Sequence, residues 1–286
     1  MAVAASFALA TAVRRLTSAS RRAYGDATSA VDWPDTLDRD SWCMSRELIS
    51  LTGSASWYGL DEERRVRLSF WEAVNFFSVN IHGERALMAG LARRLYSPGL
   101  EPVADYLHHF LDEENRHSVW FATFCLRYGG KVYPDPTVAF SADTDTDDLV
   151  FFARAALFEE IVDRYNVAMA GDERLVPVVR QINGLHHADE ARHLVFGRRL
   201  VADLFAARDW TDETLAGVRA HLHGFVDATW RSLANPAVYR DAGLDDPVAC
   251  ARQAWDDPAC RARRIRITQV AVRPFVDIGL LSEGDD

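Results

Sequence analysis

Two stretches of this chain carry the same kind of tetrad, Glu114-Asn115-Arg116-His117 and Glu190-Ala191-Arg192-His193, each preceded by a further acid, Glu113 or Asp189. A Glu and a His three residues apart share one face of an α-helix. Two such helices set against each other offer two carboxylates and two imidazoles to a pair of metal ions. A lone Glu-x-x-His is usually a solvated surface pair. Its repetition is what points to a dinuclear centre.

The helices that must position these groups are legible in the apolar periodicity. Leu68, Phe76, Phe77, Ile81, Leu87, Met88 and Leu91 recur at three- and four-residue spacing from Asp61 to about Tyr96, predicting one long helix or a bent pair. Pro98-Gly99 ends it. A second helix is expected from about Pro102 to Tyr128, where Gly129-Gly130, Pro134 and Pro136 stop it. The acidic stretch Asp143 to Asp148 caps a third, from about Asp147 to Ala170, and a fourth runs from about Pro177 to Ala207. Thr211 opens a fifth, reaching about Ala234, with shorter helices between Pro247 and Phe275. No segment alternates as a strand does, so the expected class is all-α, a ferritin-like four-helix bundle with flanking helices.

Further donors are found by asking which polar side chains project from apolar stripes. Glu84 has Phe77, Ile81, Met88 and Leu91 around it at helical spacing, whereas Glu72 sits on a face shared with Arg65 and is expected to be less buried. Glu114 and His117 share a face with Leu107, Phe110, Leu111 and Phe121. In the doublet Glu159-Glu160, Glu159 aligns with Phe152, Ala155, Val162 and Asn166, while Glu160 falls between Asp163 and Arg164 on the polar arc; Glu159 is the preferred donor. His186, Glu190 and His193 lie within about 60° of one another on a helical wheel, with His187 farther round. The expected metal ligands are Glu84, Glu114, His117, Glu159, His186, Glu190 and His193. Glu113 and Asp189 are expected to accept the outer N–H of a ligating histidine on the facing helix. His82, His108, His109, His221 and His223 read as surface or core-edge residues, and Tyr165 and Phe151-Phe152 as core. Four carboxylates balance two divalent cations, and the mixed oxygen and nitrogen set suits iron, or manganese, better than zinc.

Composition narrows the function classes. A chain of 286 residues, 49% hydrophobic and 26% charged, can form one large core, so one domain is expected over 1–286. Within it, residues 1–60 form an N-terminal arm with short helices, 61–207 the metal-binding bundle and 208–286 the C-terminal helices. A net charge of -10 argues against a nucleic-acid partner. Cys43, Cys125, Cys250 and Cys260 show no close pairing, which fits a reducing cytoplasm. At the N-terminus Arg14, Arg15, Arg21 and Arg22 follow the apolar run and do not precede it, so it is read as an extended arm and not a secretory signal. No apolar run is long enough to suggest a membrane span.

With these residues in place, the chain resembles the non-haem di-iron N-oxygenases typified by p-aminobenzoate N-oxygenase (AurF-like). The resemblance runs through Leu16 to Ser20, Asp32-Trp33, Glu47 to Leu51 with Trp57, Glu62 to Ser69, His82 to Met88 and His187 to His193. It covers most of the chain. It implies a third histidine ligand four residues before the last Glu-x-x-His glutamate, where His186 stands, and the other ligands fall on Glu84, Glu114, His117, Glu159, Glu190 and His193. The family's usual Asp before the first motif is Glu113 here, and the Glu159-Glu160 doublet leaves that ligand's register open. The resemblance implies two iron ions, O2 as oxidant and a small-molecule amine oxidised to hydroxylamine, nitroso or nitro product in secondary metabolism. It also implies a homodimer. No G-x-G-x-x-G fingerprint is present, so an external electron donor is expected. Competing readings are a di-iron C-hydroxylase or desaturase, a ferritin-like storage or peroxide-scavenging protein, and a metal-free helical protein. Chain length disfavours the second, and the repeated motif disfavours the third.

Overall fold

The computed structural model describes residues 6–135 and 147–282. Its helices are α1 (Phe7–Ala23), α2 (Ala55–Tyr58), α3 (Glu62–Arg94), α4 (Ala104–Phe124), α5 (Asp148–Gly171), α6 (Pro177–Ala206), α7 (Asp212–Leu233), α8 (Pro236–Asp241), α9 (Pro247–Asp256) and α10 (Pro258–Asp277). Among the described residues the only β-type pairing is an isolated bridge between Trp42 and Leu175. The protein is all-α, as its periodicity predicts.

Local chemistry explains the boundaries. Asp61 accepts a hydrogen bond from the Arg64 N–H at the start of α3, with Glu62 and Glu63 in the first turn and Arg93 and Arg94 in the last, each matching the helix dipole. Asp147 caps α5 by accepting from Leu149 and Val150. The rest of the stretch before it, Asp143 to Thr146, lies outside the described residues, as does Pro136. Thr211 and Thr214 cap α7 reciprocally. The expected helix ending at Tyr128 becomes α-helix to Phe124 followed by a π-helical turn, Cys125–Gly129, which stops at Gly130 with φ +68°. Of the two alternatives after Asp61, one long helix or a bent pair, the structure has the first, a 33-residue helix about 50 Å long.

The bundle core is α3 packed on α4 and α5 packed on α6. Two glycines set how closely α3 and α5 approach. A Cβ at Gly83 would stand 2.6 Å from Phe158, and one at Gly90 would stand 2.0 Å from Phe151. Both glycines and both phenylalanines are seven residues apart, so the rings of α5 seat into successive gaps on α3 two turns apart.

The N-terminal segment is not an extended arm. Leu9, Ala12, Val13, Leu16, Thr17 and Ser20 are buried along one face of α1 against α6 and α4, while Arg14, Arg15, Arg21 and Arg22 face outward. Leu9, Ala12, Val13 and Leu16 recur at helical spacing with the arginines on the opposite face, so the amphipathic period is present in the sequence.

Glu72 corrects another expectation: it is buried, only 5% exposed. It accepts hydrogen bonds from the Ser50 N–H at 3.2 Å and from the Ser50 hydroxyl, which also meets the Tyr239 hydroxyl at 2.7 Å. The loop before α2 and helix α8, distant in sequence, cover it. Burial pushes its carboxyl from the ordinary 4.5 up to about 7 against the opposing pull of Ser50. A raised folded-state value means that the neutral native carboxyl adds stability below pH 4.5, which is lost as pH rises through 7, by about 3 kcal/mol in all. Glu72→Gln stays neutral and lacks this slope. Urea melts of the two proteins are therefore expected to diverge in favour of the variant between pH 5 and 8; parallel curves would show that Glu72 ionises normally.

Candidate metal centre

The four core helices each send acids inward at one level. Glu84 comes from α3, Glu114 and His117 from α4, Glu159 from α5, and His186, Glu190 and His193 from α6; each is 4% exposed or less. Their donor atoms gather into two adjoining groups, Glu84 with His117, His186 and Glu190, and Glu114 with Glu159 and His193, within each of which the atoms lie within 4.8 Å of one another.

Glu114 and Glu190 stand between the groups. Glu114 is 2.9 Å from His193 Nδ1 and 3.3 Å from His117 Nδ1. Glu190 is 2.9 Å from His186 Nε2, 3.5 Å from His193 Nδ1 and 3.7 Å from His117 Nδ1. Phe110 stacks on the His193 ring at 4.0 Å and Phe121 meets His186 edge-on at 4.9 Å, so the cluster is walled by aromatic carbon.

The cluster's electrostatics call for cations. Burial, joined by repulsion from the neighbouring carboxylates, holds Glu84 and Glu159 well above the usual carboxylate range. Burial would raise Glu114 and Glu190 too, but hydrogen bonding and the surrounding histidine charges outweigh it, leaving Glu114 well below its ordinary value and Glu190 at about 2. His117, disfavoured by burial, is brought up to about 9 by Glu114 and Asp189, and His193, likewise disfavoured by burial, is raised well above the usual imidazole range by Glu190 and Glu114. His186 is pushed down by burial and by His117. Glu159 Oε1, Glu190 Oε2 and His186 Nδ1 are buried without a hydrogen-bond partner. Orphaned donors of carboxylate and imidazole type, gathered at one point, fit a pair of divalent ions.

An outer layer orients the imidazoles. His193 Nε2 donates to Glu113 at 2.8 Å, and His117 Nε2 meets Asp189 at 3.2 Å, so each acid of one motif serves the histidine of the other. In both rings Nδ1 is thereby turned to the cluster. Two arginines missed in the sequence reading bind these acids. Arg192 Nη2 donates to Glu113 and to Asp189, both at 2.5 Å, and its Nε reaches Ser20 of α1 at 3.1 Å. Arg116 Nη2 donates to Asp189 at 3.0 Å. The signal was present: both motifs read Glu-x-Arg-His.

The other acid of the α5 doublet, Glu160, is not on a polar arc. It is fully buried and accepts from Arg198 Nε at 2.5 Å, with Arg164 at 3.6 Å, so its burial is compensated across helices and it stays out of the cluster. His187 turns away to Asp163 at 2.7 Å. His82 is buried and bonded to the Tyr133 carbonyl; His108 and His221 are exposed, and His109 and His223 are half-buried.

The sequence matches the family model described as p-aminobenzoate N-oxygenase AurF over residues 8–279. An uncharacterized protein of Mycobacterium tuberculosis is 28% identical over 156 residues, which are 50% of this chain and 45% of that protein. An uncharacterized protein of Mycobacterium bovis matches to the same extent. The matched part thus spans about half the length of these curated relatives. Among solved structures, a mutant R2-like ligand-binding oxidase with anaerobically reconstituted Mn/Fe cofactor superposes with a TM-score of 0.52 at 13% identity, covering 92% of each chain. An aerobically reconstituted mutant of such an oxidase gives 0.49 at 16% identity over 92% of this chain and 93% of that one. The fold is ferritin-like. No helix among the described residues is long and apolar enough to cross a membrane.

Proposed function

Because the chain belongs to the p-aminobenzoate N-oxygenase AurF family, we propose that it is an oxygenase that oxidises an amine, with an arylamine as the first candidate. The observation that carries this reading is the buried double cluster, in which Glu84, His117, His186 and Glu190 would hold one ion and Glu114, Glu159 and His193 the other. Iron is the metal that the donor set and the family favour, with manganese the alternative. Bound there, a pair of iron ions supplies the reduction of O2.

The chain's own groups do the rest. Glu113 and Asp189 keep the Nδ1 atoms of His193 and His117 facing inward. Phe110 and Phe121 exclude water from the cluster. In the first oxidation an amine, O2, two electrons and two protons give a hydroxylamine and one water. An N–O bond forms, the O–O bond breaks, and the second oxygen leaves as water. The electrons come from an external donor.

The test loads the protein anaerobically with Fe(II), admits 18O2 and offers p-aminobenzoate, aniline or a primary alkylamine. Uptake of about two irons per chain and a hydroxylamine, nitroso or nitro product carrying 18O is expected. Iron-dependent O2 consumption that yields no oxidised nitrogen from any of them would favour carbon oxidation or peroxide scavenging instead.

A further inference from the structure

Three buried asparagines stand at one end of the cluster. Asn80 lies four residues before Glu84, Asn183 three before His186, and Asn166 seven after Glu159, so each follows the ligand face of its helix by one or two turns. Cross-helix contacts place all three at the same end. Phe76 stacks on Tyr165 at 5.0 Å, Phe77 on Phe121 at 5.2 Å, and Phe121 meets His186. Asp163 bonds His187, and a Cβ at Gly184 would lie 3.7 Å from Ala170, so Asn166 and Asn183 occupy facing turns of α5 and α6.

None of the three side chains is exposed. Asn80 donates its amide N–H to the Phe76 carbonyl at 2.7 Å and Asn183 to the Val179 carbonyl at 2.8 Å, which fixes the orientation of both amides. Their Oδ1 atoms have no partner, and Asn166 has none at either Oδ1 or Nδ2. An unpaired buried amide oxygen weakens a fold, and Leu or Val in the same stripe would remove that cost. We infer that Asn80, Asn166 and Asn183 are the substrate's hydrogen-bonding collar, taking N–H donors of an amine whose apolar body lies against Phe76, Phe121 and Tyr165.

The chemistry suits the group to be oxidised. Asn80 and Asn183, whose N–H groups are engaged by their own helices, present carbonyl oxygens that hold an amine by its N–H bonds and leave the nitrogen lone pair free, whereas a lysine or arginine there would cap that lone pair. The collar adjoins the group formed by Glu84, His117, His186 and Glu190, the one bearing two histidines. This inference rests on the amine reading above and names the residues that would select the amine.

The experiment uses Fe(II)-loaded protein without O2 and compares calorimetric binding of aniline with that of toluene, its isostere lacking N–H. The wild type is expected to prefer aniline at least about tenfold, since a site built to pair an N–H rejects the analogue without one. Asn166→Leu and, separately, Asn183→Leu should each bring the ratio toward unity, keep the iron content, and melt at or above the wild type when ligand-free. A wild type with no preference, variants that keep it, or variants that melt below the wild type would each overturn the inference. If aniline is preferred in this way yet passes unoxidised once O2 is admitted, the amine-oxidation reading fails and the collar stands.

Discussion

Replacing Glu114 by alanine should empty both metal positions at once. Its carboxylate lies 2.9 Å from the histidine of one group and 3.3 Å from a histidine of the other, so its loss removes the acid that joins them. Iron content after desalting should fall from about two per chain to well below one, and amine oxidation by at least about a thousandfold, well beyond the 10- to 100-fold typical of losing an outer partner of a ligand. The metal-free variant should still fold on the packing of α3 with α4 and of α5 with α6, somewhat less stably than the metal-free wild type, because His117 and His193 lose a compensating carboxylate. What disappears is the rise in melting temperature on adding Fe(II). Glu72→Gln is the control, a buried acid outside the cluster, and should keep both irons. Retention of two irons by Glu114→Ala would remove the basis for the proposed ligand set.

Arg192→Met is expected to have the next largest effect without touching a ligand. Arg192 joins Glu113, Asp189 and Ser20, and its charge helps hold both acids ionised, Glu113 below its ordinary value and Asp189 far below. Breaking a buried pair costs about 3–5 kcal/mol when nothing replaces it. Here Arg116 remains near both acids, so a loss toward the lower end is expected in urea melts. Iron affinity should fall about 10- to 100-fold, because both imidazoles lose their orientation. Arg192→Lys should recover little, since a point charge cannot span two carboxylates and a hydroxyl as a planar guanidinium does. Unchanged melting and iron affinity in Arg192→Met would show that the histidines are positioned by packing alone.

The residues that were legible in the sequence are those whose placement depends on one helix. Glu84, Glu114, Glu159 and Glu190 project from apolar stripes that a wheel can display, and the acids flanking each Glu-x-x-His follow from the same periodicity. Glu72 and Glu160 were misjudged because their burial comes from elsewhere in the chain, from the Ser50 loop and α8 in one case and from Arg198 in the other. Helix α1 carries the same period in Leu9, Ala12, Val13 and Leu16, but its Arg- and Ser-rich composition also fits a targeting segment, and only packing against α6 and α4 decides between them. The π-turn after Phe124 leaves no mark that a 3.6-residue period would reveal. The asparagine collar was hidden for the opposite reason. A polar residue in an apolar stripe is visible, but only packing shows that its oxygen has been left without a partner.

The seating of Phe158 against Gly83 lies beside the cluster, since Glu84 and Glu159 are the next residues along their helices. The separation of those two carboxylates is therefore gauged by a hydrogen atom where nearly every other residue would place a carbon. Position 83 carries no chemistry of its own, yet its freedom to vary is narrower than that of many groups that do. A lineage descending from this protein could drift widely across its arginine-studded surface while a single added methyl on α3 spread the helices and dismantled the site from behind. The signature of this centre thus includes an absence, and a search restricted to its acids and histidines would overlook it.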